Sequence, residues 1–200
     1  MPEFLNEDYV TIANELVFPS VQTCCALVVT AAGTNNIGGY HLTNFTGLRE
    51  FKRAALHLRT EIGGAIDGVY LVGNVLGRPG NQMPGMDSLA ELRNAVQQEL
   101  GYAFAARYQD IGLNNPGVAV RAWRDGVTNL LRLSVSPNGS WVAAANVVPA
   151  MGMLFIKQTI AAAMDGNAGD KLRVTRPAGG VPACTINAEN NIVRFTMANL

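Results

Sequence analysis

Residues 23–42 read Thr23-Cys24-Cys25-Ala26-Leu27-Val28-Val29-Thr30-Ala31-Ala32-Gly33-Thr34-Asn35-Asn36-Ile37-Gly38-Gly39-Tyr40-His41-Leu42. A short β-prone apolar run occupies residues 24–30. A turn signal follows at residues 31–35, where Gly33 and Asn35 stand. A second short strand spans residues 36–42. The three parts together predict a β-hairpin.

Outward from this hairpin, the pattern alternates between helix and strand. Residues 4–16 carry apolar side chains at 5, 9, 12, 13 and 16, which is helical spacing. In residues 47–62, Leu48, Phe51, Ala55, Leu58 and Ile62 form one apolar helical face, and Gly63 and Gly64 end it. Residues 69–75 read as a buried strand. Residues 77–85 hold three glycines and two prolines and read as a loop, which lacks the Gly-Lys-Ser/Thr ending of a phosphate loop. Asp87 or Ser88 caps a helix running to Leu100, with Gly101 as its stop. Strands are expected at 102–109, 118–124, 129–135 and 140–145, the last two joined by the turn Ser136-Pro137-Asn138-Gly139. A helix is expected at 151–164, then short strands near 172–175, 184–187 and 192–197. The order predicts an α+β fold, a mostly antiparallel, sandwich-like sheet with helices packed on it. Residues 1–148 form the core, and 149–200 elaborate the same domain.

Composition bounds the function. The chain has 200 residues, 48% hydrophobic and 15% charged, with a formal net charge of zero. Typical globular chains carry about 25% charged residues, so this one has ample material for a core. Twelve Arg and three Lys balance the acids. This argues against a nucleic-acid binder held by phosphate contacts along its length. Arg121, Arg124 and Arg132 near Trp123 read as a solvated strand face rather than an RNA-stacking surface. Apolar stretches are too short, or too broken by Asn146, Pro149 and Gly152, for a membrane span. Acids near the N-terminus stand where a signal peptide needs bases. Cys24, Cys25 and Cys184 are too few for a disulfide scaffold, and no spacing suggests a metal. Met151, Met153 and Met164 read as core fillers.

Of the two histidines, His57 lies mid-helix and reads as structural. His41 lies on the second hairpin strand, facing the two cysteines. Pairing it directly with Cys24 centres the turn between Ala32 and Gly33. Pairing it with Cys25 centres the turn on Gly33 and needs an odd-length loop. Directly opposed side chains have Cβ atoms about 4.5–5.5 Å apart. An imidazole that close can take the thiol's proton, hold the thiolate and later protonate a leaving amine. A packed Cys–His pair without reactivity has the same spacing, so both readings stand at this point.

The segment from Thr23 to Val29, followed by Ile37-Gly38-Gly39-Tyr40-His41, resembles the chemoreceptor glutamine deamidases of bacterial chemotaxis, the CheD family. That family has a small residue before its Cys, Ala two residues after it, and Ile-Gly-Gly shortly before its His. Its Cys-to-His spacing is that of Cys24 to His41. The hairpin is also similar to that of cytotoxic necrotizing factor toxins. The order of elements follows the family to about residue 145, roughly two thirds of the chain. Two departures stand out. Only Tyr40 separates Gly39 from His41, where the family has two residues. Phe18 occupies the place of a catalytic Thr. The resemblance implies a Cys nucleophile, Cys24 or Cys25, with His41 as acid and base. Ser20, Gln22 or Thr23, or else a backbone carbonyl, would serve as orienting group, and backbone N–H groups at residues 23–25 would form the oxyanion hole. It implies hydrolysis of a glutamine carboxamide on a partner protein, without metal or organic cofactor. The location implied is the bacterial cytoplasm, or export as an effector or toxin without a cleavable signal. The alternatives are another thiol hydrolase, such as a peptidase, and a non-catalytic binding or scaffold domain with buried cysteines.

Overall fold

Strand β4 (Cys25–Ala31) is buried at every residue, as its unbroken apolar sequence requires, because it has a neighbour on each edge and a packed layer on each face. It lies at the centre of a seven-stranded sheet in a computed structural model that describes residues 2–76, 85–111, 118–127, 129–137, 154–155 and 197–200. The other strands, in chain order, are β1 (Glu3–Phe4), β2 (Tyr9–Ala13), β3 (Glu15–Val21), β5 (Ile37–Leu42), β6 (Ile66–Gly73), β7 (Arg107–Asp110), β8 (Val118–Arg124), β9 (Leu131–Pro137), β10 (Leu154–Phe155) and β11 (Ala198–Asn199). The large sheet runs β10-β2-β5-β4-β6-β7-β11, antiparallel except for the parallel β6–β7 pair. A second sheet runs β1-β3-β8-β9, antiparallel except for β1–β3.

Alternation along the strands divides the large sheet's side chains between two cores. One face carries Leu27, Val29, Tyr40 and Leu71 against helices α1 (Leu48–Glu61) and α2 (Leu89–Leu100). Phe51, Ala54, Ala55 and Leu58 of α1, and Leu92, Ala95, Val96 and Leu100 of α2, supply the facing surface. The opposite face carries Ala26, Val28, Ile37 and Val72 against Leu16, Phe18, Val120 and Ala122 of the four-stranded sheet. The described layers are helices, large sheet, small sheet. Burying each large apolar side chain here contributes about 1.5–3 kcal/mol. The α+β class expected from the element order is what the structure shows, with helices on a mostly antiparallel framework.

The paired glycines of β5 have a packing reason. A Cβ on Gly38 would stand 2.6 Å from Leu58 Cδ2 of α1, and one on Gly39 would stand 2.5 Å from Leu16 Cδ1 of the small sheet. The strand is thinned on both faces so that both layers can close on it.

Helix α2 follows its sequence signals closely. Ser88 accepts from Glu91 N, the Glu91 side chain returns to the Ser88 N–H, and Gly101 closes the helix with φ +62°. Several expectations fail. Residues 4–16 form β1, a turn, β2 and the start of β3 rather than a helix. Their apolar spacing fits both periods, and the β-branched run Val10-Thr11-Ile12 settles into a strand once β5 offers an edge. Of the expected 102–109 strand only residues 107–109 pair, in a strand that runs on to Asp110. Leu154–Phe155, inside the expected helix 151–164, is a strand on β2. Ser136 and Pro137, expected in a turn, instead extend β9 and pair with Ala119 and Val118. The rest of the 151–164 helix, the 140–145 strand, the remainder of that turn, the loop 77–84, the tail strands before 197 and Cys184 lie outside the described residues.

Among the described residues, no helix is long and apolar enough to cross a membrane, which says nothing of a β-barrel. Arg121 pairs with Glu15 at 2.5 Å and lies 4.7 Å over the Trp123 ring, so this arginine is engaged within its own sheet.

Candidate functional site

Two chain segments cross from the small sheet to the large one at the same end of the molecule. The first leaves β1 at Phe4 and enters β2 at Tyr9. The second leaves β3 at Val21, bends through Gln22–Cys24 and enters β4 at Cys25. Pro19, which has no N–H for a ladder, and Ser20 fall where the β3–β8 register shifts. The shift bends the strand toward the crossing. Gly73, at the end of β6, faces the second crossing. A Cβ there would collide with the Cys24 carbonyl oxygen and the Cys25 Cα, and its φ of +150° suits glycine. Asn74 N then donates to Cys24 O at 3.0 Å.

The side chains of Cys24 and His41 both bond to the first crossing. Cys24 Sγ donates to Glu7 Oε1 at 3.2 Å. His41 Nδ1 lies 2.9 Å from the Leu5 carbonyl oxygen. A carbonyl only accepts, so Nδ1 carries the proton and Nε2 of the neutral ring is left as the bare nitrogen. Nε2 is buried and has no hydrogen-bond partner among the described residues. Phe18 packs edge-on to the imidazole, with ring centroids 5.9 Å apart. The crossing that holds both groups is a tight turn. Tyr9 N bonds to Asn6 O at 3.2 Å, Asp8 N bonds to His41 O at 2.9 Å, and Asp8 takes φ +64°.

The hairpin register differs from both expected pairings. Ala26 stands opposite His41, and Cys25 stands opposite Leu42. The turn centre falls between Gly33 and Thr34, one position later than the pairing of Cys24 with His41 requires. Moving a turn centre by one position slides the partner by two residues, which preserves the face. By alternation from Ala26, Cys24 is diagonal to His41 rather than directly opposite it. Cys25 points to the other face and is 1% exposed in the helix-side core with Leu27 and Val29. Thr23 and Gln22 are exposed on the bend, with Thr23 Oγ1 3.9 Å from Cys24 Sγ. Ser20 is a residue of β3, and its side chain falls outside the described residues.

The electrostatics are those of a protonated resting thiol. Burial pushes the Cys24 thiol up to about 12, and the Glu7 charge and its hydrogen bond push the same way. Burial pushes His41 below its ordinary value, against smaller upward pulls from the Leu5 bond and the Glu7 charge. The thiolate–imidazolium pair expected from the hairpin is therefore not the resting state: the sulfur keeps its proton and aims it at a carboxylate. Among the described residues, no group of three or more His, Cys, Asp or Glu side chains converges as a metal site.

Sequence reasoning missed Glu7 and Leu5, because the helical reading of residues 4–16 hid the turn that carries them. The signal was present in Asn6-Glu7-Asp8, a polar break with two turn-forming residues before a β-branched run. No family model matches the chain, and no curated protein matches it.

Proposed function

We propose that the protein is a cysteine-dependent glutamine deamidase acting on a partner protein, with Cys24 as nucleophile and His41 as acid and base. One observation carries the reading. A thiol and an imidazole are held by the same sheet-crossing turn, and the ring's Nδ1–H is fixed on Leu5 O, which leaves Nε2 as a proton acceptor. A backbone carbonyl in the orienting role is one of the options that the resemblance to CheD-like and toxin deamidases implies.

In this mechanism, Sγ loses its proton to Nε2 and adds to the carboxamide carbon of a substrate glutamine. Backbone N–H groups of the residue 23–25 bend stabilise the oxyanion. The imidazolium returns the proton to the amide nitrogen as the C–N bond breaks, and ammonia leaves. Water adds to the thioester with Nε2 as base, the C–S bond breaks, and glutamate and the thiol remain.

The test is intact-mass and peptide analysis of candidate partner proteins after incubation with the enzyme. The expected result is a gain of about one dalton at a glutamine, abolished by Cys24→Ser and retained in Cys25→Ser. Activity that survives both substitutions sinks the mechanism. A second reading, a non-catalytic binding domain, is supported by the 3% exposure of Cys24 and the complete burial of His41. It predicts no mass gain on any partner. Peptide cleavage in the same assay would identify a peptidase instead.

A further inference from the structure

A glutamine deamidase generates a glutamate side chain next to its nucleophile, and the resting thiol of this protein already hydrogen-bonds to one. Resting on the deamidase reading above, we infer that Glu7 occupies the seat of the substrate carboxamide, so that the protein is capped by its own product-like side chain. The seat accordingly takes a glutamine presented at the apex of a surface turn.

The geometry supports this in three ways. Glu7 Oε1 accepts from Cys24 Sγ at 3.2 Å, so a carboxyl group of the same size and shape as a glutamine carboxamide already lies against the sulfur. Glu7 is an exposed residue of a tight turn, and its carboxylate nonetheless bonds to the buried sulfur. His41 Nε2 is buried and has no partner among the described residues, a receptive nitrogen that the resting state leaves unused. The Glu7 charge also keeps the thiol protonated, which suits a capped state.

The seat can be tested within the molecule, because Glu7→Gln places a substrate amide on it. In that variant Sγ adds to the residue-7 carboxamide carbon and its proton passes through Nε2 to the departing nitrogen. Ammonia leaves, and water hydrolyses the thioester to a carboxylate. The expected result is a Cys24-dependent gain of about one dalton in the peptide containing residue 7, absent in Glu7→Gln/Cys24→Ala. Glu7→Ala, which removes the cap, should alkylate at Cys24 with iodoacetamide severalfold faster than the parent protein, because the carboxylate no longer lies on the sulfur or opposes its negative charge. A residue-7 amide that stays intact, or an alkylation rate unchanged in Glu7→Ala, overturns the seat. The deamidase reading is then judged separately: Glu7→Ala that deamidates partner proteins keeps it, and Glu7→Ala inert toward both partners and iodoacetamide removes it as well.

Discussion

Cys24 and His41 are each buried in the form that carries no charge, and this sets how they answer to pH. The thiol, at about 12 against an ordinary 9.0, holds about a thousandfold less thiolate at pH 7 than a free thiol would. Peptide-resolved alkylation of the intact protein should therefore be slow at Cys24 near neutrality and should climb steeply only in alkali. A neutral-pH rate equal to that of a small-molecule thiol would contradict the burial of Cys24, with the Glu7 contact behind it. For His41 the sign runs the other way. Its folded pKa lies below the unfolded value near 6.5, so between the two the unfolded chain binds more protons. The stability contributed by the neutral ring is present above pH 6.5 and is lost as pH falls through the folded pKa. Urea midpoints measured from pH 7.5 downward should decline below about 6.5, and the decline should be smaller in His41→Gln.

At the scale of elements, the site depends on close approach between strands and bends. Gly73→Ala adds a Cβ where the Cys24 carbonyl already lies, at a φ that L side chains rarely adopt. It should cost about 3 kcal/mol and slow or abolish Cys24-dependent chemistry, as read by chemical denaturation and the mass assay. Gly38→Ala pushes a methyl against Leu58 of α1 and Val29 of β4. A cost of about 1–3 kcal/mol is expected, with the Cys24–Glu7 geometry spared because the clash is on the helix side. Ser88→Ala removes the α2 cap and should cost about 1 kcal/mol, with no effect on thiol reactivity. Together these separate damage to the fold from damage to the site.

For the molecule as a whole, the site lies between layers rather than on one of them. Phe18, on the small sheet, closes over the His41 ring on the large sheet. Phe18→Ala should cost about 3–5 kcal/mol and should also expose His41, raising its pKa toward the ordinary value. NMR titration of the ring checks the second half, and an unchanged titration would mean that other groups keep the imidazole dry. Leu200 packs in the helix-side core, its N–H bonded to Ala106 O and its carbonyl accepting from Arg93 Nε. Leu200→Ala is expected to lower stability by about 2–4 kcal/mol while leaving Cys24 alkylation unchanged.

What could be read from the residues alone was whatever short-range patterning encodes. The hairpin of β4 and β5, helix α1 from its apolar face, helix α2 from its capping box and Gly101, strand β8 and the α+β class all follow from spacing, caps and turn residues within a few positions of one another. The same patterning placed Cys24 at the start of one hairpin strand and His41 on the other, whereas the structure leaves Cys24 on the bend just before β4. It did not set their register, because a turn of several residues tolerates a one-position shift, and only packing against Phe18 and α1 selects among the alternatives. Nor did it separate helix from strand at residues 4–16, where five apolar positions satisfy both periods until β5 supplies a pairing edge. The carboxylate on the thiol and the carbonyl on the imidazole come from a turn 17 residues before Cys24 and 36 before His41. No local rule spans that distance, and it is the joining of two sheets at one corner that brings these groups together.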